Sequence, residues 1–198
     1  MTDPAKPTRG PYRTFSRNVH RYFTDYGGWR GLALSPFLHI GILVSALSYP
    51  IWMAGKWIDS VTGIIPSLLG FSLGTYALLF SLMSNRMKQA LRHLRNRAGT
   101  PYLDEINATF FHFILIQTIC LTWALVMRSS VLFDLAQHFS SPQCVLETIR
   151  VGNAIAGFVG YTLLSYSVLL VVASSLAVYR LARLGSGPIN GIPKAAKG

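Results

Sequence analysis

The sequence predicts an all-α polytopic membrane protein: a four-transmembrane-helix bundle preceded by an amphipathic N-terminal interfacial helix. Three observations carry that reading. Hydrophobic residues make up 51% of the 198 residues and charged residues only 13%, where soluble domains carry about 25% charged. The apolar residues gather in runs of about 20, long enough to cross a ~30 Å hydrocarbon core as helices. The cations collect between alternate runs, as orientation in a membrane requires.

Residues 1–11, with Pro4, Lys6, Pro7 and Arg9, are expected to form a disordered tail. In 12–30, Tyr12, Phe15, Val19, Tyr22, Phe23 and Tyr26 recur at three- and four-residue steps and share one helical face. Arg13, Arg17 and Arg21 form a second stripe. Aromatic and arginine faces side by side suit a helix at headgroup level, and Gly27-Gly28 turns it toward the first span.

The transmembrane domain is expected over 31–183, with spans at 31–54, 61–83, 108–127 and 151–179. Pro36 and Pro50 fall near the ends of the first span, where a missing backbone hydrogen bond costs least. Trp57, in the turn that follows, reads as an interface anchor. The second span contains Pro66 and is expected to continue as a basic cytoplasmic helical extension over 84–98, stopped by Gly99-Thr100-Pro101. A loop is expected from Arg128 to Arg150, with Val131-Leu132-Phe133 dipping into the interface, and a flexible tail over 184–198.

Lysine and arginine number six in residues 1–30, one in the turn at 55–60, five in 84–107, two in 128–150 and four after the last span. Fifteen of the 18 therefore lie on one side, which the positive-inside rule makes cytoplasmic, together with both termini. The same rule accounts for the net charge of +11 without nucleic acid and implies contact with anionic lipids. A bacterial inner membrane is the expected location. The Arg-rich, acid-poor start keeps a mitochondrial inner membrane open, and Val44-Ser45-Ala46 keeps open a cleaved first span. Cys120 and Cys144 are too few for a disulfide framework and are expected to be free thiols.

Small residues at steps of four mark helix-packing or oligomer faces: Gly70 and Gly74 in the second span, with Gly63 and Ser67 on a neighbouring face, and Gly152, Ala156 and Gly160 in the fourth. Such residues let helix backbones approach where no water drives association. Polar residues at membrane depth include His39, Gln117, Tyr161 and Ser165, which would bond across helices or line a narrow pathway. Asn107, His112 and Asn153 fall near span ends and are expected to meet water or headgroups. No Asp, Glu, Lys or Arg occupies a span centre, which argues against ion-coupled transport. Asp104-Glu105 suits the start of the third helix, where the dipole favours anions.

Enzyme signatures are missing: no HExxH, no paired His/Cys ligand set, no P-loop and no GxSxG. No catalytic residue, metal or cofactor is expected. Arg86, Lys88, Arg92, Arg95 and Arg97 form the second basic surface, suited to anionic lipid or a soluble cytoplasmic protein.

The stretch Ile64-Ile65-Pro66-Ser67-Leu68-Leu69-Gly70-Phe71-Ser72-Leu73-Gly74, leading into Ala77-Leu78-Leu79-Phe80, resembles a segment of uncharacterised small four-span bacterial membrane proteins. Some of those are membrane components of anti-phage defence loci. The small-residue faces, the missing enzyme signatures and the 15 basic residues on one side lead to the expectation of a non-enzymatic, oligomeric membrane component that senses or perturbs the membrane with a soluble cytoplasmic partner, and the resemblance implies a defence context for it. A small channel or exporter, and a membrane anchor or assembly factor, are the alternatives.

Overall fold

The computed structural model describes residues 11–96, 99–129 and 142–185, and these are helical throughout apart from short connections and one isolated bridge between Arg95 and Pro101. In chain order the helices are α1 (Pro11–Asp25), α2 (Gly28–Ala33), α3 (Pro36–Leu47), α4 (Tyr49–Met53), α5 (Trp57–Leu82), α6 (Asn85–His93), α7 (Tyr102–Arg128) and α8 (Pro142–Gly185). Three of them, α5, α7 and α8, are long and apolar enough to cross a membrane.

The first expected span is not one helix. Pro36 holds Ser35 in an extended conformation and separates α2 from α3. Pro50 lacks the N–H that would continue α3, and its ring excludes the carbonyl four residues back. The chain therefore breaks at Ser48 and restarts as α4. The Trp52 indole N–H donates to Ser45 O at 2.8 Å, giving that carbonyl a partner across the break.

The N-terminal helix stops just before the glycine pair expected to turn the chain. Gly27 and Gly28 both adopt positive φ, +101° and +65°, which stops α1 at Asp25 and starts α2.

The basic extension is a separate helix. Met83 is extended, and Ser84 caps α6 by accepting from Met87 N–H at 3.2 Å. Leu91 of α6 is buried among Met83, Leu103 and Leu181, which folds the helix back onto α7. Arg97 lies outside the described residues.

At the far end, α8 starts at Pro142, inside the expected loop, and runs for 44 residues. At 1.5 Å per residue that is about 66 Å, so it extends well beyond a ~30 Å core. Val131–Phe133 and the tail beyond Gly185 lie outside the described residues.

The core lies between α5, α7 and α8. Val61, Ile65, Cys120, Ala124 and Leu164 fill one end, and Met83, Leu103, Ile106, Phe110 and Leu181 fill the other. Trp57 is not an interface anchor: it is 3% exposed and packs into the first of these groups. A Cβ on Gly160 would stand 2.2 Å from its ring, so Gly160 is the notch that admits it. The α3–α4 segment packs closely along α8: a Cβ on Gly157 would meet Trp52 O at 2.9 Å, and one on Gly41 would meet Tyr166 N at 3.3 Å.

Candidate functional site

The polar residues that converge do so around His112, on the inner face of α7. Expected near water, it is buried at 3% exposure. Its Nδ1 pairs with the Tyr22 hydroxyl of α1, and its Nε2 lies 2.9 Å from the Tyr166 hydroxyl of α8. A neutral imidazole has one N–H and one lone pair, so one tyrosine donates to the ring and the other accepts from it. Tyr26 stacks on the imidazole, centroids 4.0 Å apart and planes 19° apart. The hydroxyls of Tyr26 and Ser35 also interact with Tyr166. Burial, reinforced by the neighbouring Tyr166 phenol, pushes Tyr22 up to about 12. It stays neutral at physiological pH, and its hydroxyl can either donate to the ring or accept from it.

This cluster joins three separate parts of the chain. The aromatic stripe read from α1 supplies two of its members, so Tyr22 and Tyr26 face the bundle. Arg13, Arg17 and Arg21 remain exposed. Arg21 reaches Asp104 in the first turn of α7 at 3.8 Å, while Glu105 accepts from Asn96 Nδ2 at 3.0 Å. Between α1, α5 and α7 lies a cavity of about 690 Å³, which Asn18, Arg21, Tyr76, Asp104, Asn107 and Phe111 help to line.

A second polar spot lies deeper. Gln117 is fully buried, with Oε1 3.1 Å from Ser72 Oγ, and the same hydroxyl lies 2.5 Å from Leu68 O. Gln117 Nε2 and Ser167 Oγ are buried without a protein partner. Of the other pathway candidates, Tyr161 and Ser165 are half-buried on α8, while His39 is exposed on α3. His39 and Gln117 therefore share no lining.

The small residues divide by face. On α8, Ala156 is buried and accepts at its carbonyl from Trp123 Nε1 at 3.2 Å, and Gly160 holds Trp57, but Gly152 is exposed. On α5, Gly70 and Gly74 are exposed, and a Cβ on either would meet nothing within 4 Å. Gly63, Ser67, Ala77 and Ser81 are exposed too. At 100° per residue all six fall within about 80° of arc, a single face rather than two neighbouring ones. Only 11% of the apolar stretch of α5 is buried, against 33% in α7 and 39% in α8, which makes α5 the outlying helix of the core.

Of the basic surface on α6, Arg86 and Arg92 are exposed and Lys88 is half-buried. Arg95, beyond the helix, donates to Gly99 O at 2.7 Å.

Comparison with protein families, with curated proteins and with solved structures finds no match to this chain.

Proposed function

We propose that this is a non-enzymatic membrane component that self-associates through α5 and perturbs or senses the membrane together with a soluble cytoplasmic partner. The observation that carries the reading is the outward face of α5. Gly63, Ser67, Gly70, Gly74, Ala77 and Ser81 form a groove bordered on one side by Ile64, Phe71 and Leu78 and on the other by Leu73, all exposed. From Gly63 to Ser81 it is about 27 Å long, close to the thickness of the hydrocarbon core. Lipid-immersed helices associate by van der Waals packing, and a groove of small residues lets a second backbone come near.

In this reading α3 and α4 together form a fourth crossing. Pro36 to Met53 at helical rise is about 27 Å, and its contact with α8 lends the kinked segment support. The basic ends and the α6 surface then face the cytoplasm, where Arg86 and Arg92 offer cations to anionic lipid or an acidic partner. The resemblance of 64–80 to small bacterial membrane proteins, some from anti-phage loci, agrees with an inner-membrane role in defence.

The test is the mass of the intact protein extracted in native lipid with its co-purifying chains. A homo-oligomer, alone or with a soluble protein, is expected. A monomer held by one soluble protein would replace this reading with that of an anchor.

A further inference from the structure

The cavity between α1, α5 and α7 carries a specific ligand chemistry. At its outer end stand Arg21 and Asp104, whose Nη2 and Oδ2 are 3.8 Å apart, too far for a hydrogen bond. At its inner end stands Phe111, 43% exposed. From Asp104 to Phe111 along α7 is about 10 Å, so the walls pass from charged to apolar over roughly the depth of one headgroup layer. Asn18 and Asn107 line the cavity between these ends. Asn107 Oδ1 already accepts from the Tyr76 hydroxyl at 3.3 Å, which leaves that oxygen one lone pair.

A purely anionic group entering here meets Arg21 favourably and Asp104 unfavourably, and a purely cationic group meets the reverse. A zwitterion pairs with both. A primary ammonium has N–H donors for the Asp104 carboxylate and the amide oxygens, whereas a quaternary ammonium has none. The space, about 690 Å³, accommodates a headgroup with its glycerol. We propose that this cavity binds one phospholipid with a phosphate and a primary ammonium in its headgroup: phosphate on Arg21, ammonium on Asp104, and the acyl chains leaving past Ala108 and Phe111. The inference rests on the reading that α1 lies at the membrane surface. On that basis the lipid mortars α1 against α5 and α7.

The experiment is native mass spectrometry of the full chain in detergent, titrated separately with phosphatidylethanolamine, phosphatidylglycerol and phosphatidylcholine of identical acyl chains. One phosphatidylethanolamine is expected to be retained about fivefold more strongly than either competitor. The preference should vanish in Asp104→Asn. It should also vanish in Asn18→Trp, which fills the mouth from the exposed side of α1 and leaves the ion pair alone. Arg92→Gln on α6 should keep it. Equal retention of the three lipids, or a preference that survives both cavity variants, overturns the assignment. A bimane at Ser16→Cys, in a Cys144→Ser background, separates the two readings. If lipid-borne quenchers fail to reach it, the surface placement of α1 falls and the inference with it. If they reach it and no preference exists, the headgroup assignment alone falls.

Discussion

The imidazole of His112 shows how one polar side chain can join helices in an apolar setting. Interhelical hydrogen bonds in membranes contribute about 1 kcal/mol each, and leaving a buried hydroxyl without a partner costs about 1–3 kcal/mol. His112→Leu removes the bonds to Tyr22 and Tyr166 together and should destabilise the docking of α1 by about 2 kcal/mol. Arg13, Arg17 and Arg21 are exposed tryptic sites on that helix. The variant should be cleaved there at least tenfold faster while its helical content stays unchanged. An unchanged rate would mean that the apolar and aromatic contacts of α1 hold it without the imidazole. The sequence carried part of this cluster in plain view, because the spacing of Tyr22 and Tyr26 predicts a shared face. What it lacked was the partner. His112 lies ten residues inside α7, where span-end composition pointed to water, and only the packing of α1 over it explains its burial.

At the scale of the element, equal spacing has opposite consequences. Gly70 and Gly74 on α5, like Gly152, Ala156 and Gly160 on α8, recur every four residues. Yet Gly160 faces the Trp57 ring, whereas a Cβ on Gly74 would meet nothing. Gly160→Leu should therefore cost about 3 kcal/mol or more through overpacking, lowering the thermal midpoint in detergent. Gly74→Leu should leave that midpoint within a degree or two and act only on association. Equal midpoints for the two variants would contradict the division of faces. This is also where sequence reading reaches its limit. Periodicity located α5, α7 and most of α8 because each is a long apolar run. It could not assign the small faces, because spacing fixes which residues share a side but not what that side meets. Trp57 reads as an interface anchor until its notch at Gly160 is seen. The division of the first expected span was legible in principle: Pro36 and Pro50 bound the apolar run, and each removes a backbone donor, but the tolerance of proline near the ends of a helix favours a single span.

At the scale of the whole molecule, the distribution of burial separates the helices. α7 and α8 are tied into the core on several sides, with α3 and α4 laid along α8. In α5 only 11% of the apolar stretch is fully buried, and the rest is half-buried or exposed. Large exposed apolar faces mark membrane contact or partner contact. On α5 the large residues Ile64, Phe71 and Leu78 suit either, whereas the glycine-lined groove beside them suits a second helix better than disordered acyl chains. In the proposed orientation the fifteen of 18 cations in the two termini and the middle segment lie on one side of the membrane, so every copy would point the same way. Copies related by a two-fold axis along the membrane normal would then meet residue to identical residue. Disulfide cross-linking in native membranes tests this central claim most directly, using cysteines introduced one at a time at Gly70 and Gly74 and, as an exposed control on α8, at Val168, all in a Cys144→Ser background that keeps only the buried Cys120. The account predicts rapid self-cross-linking at 70 and 74 and little at 168. Cross-linking at 168 as fast as at 70 and 74, or none at any of the three, would contradict it.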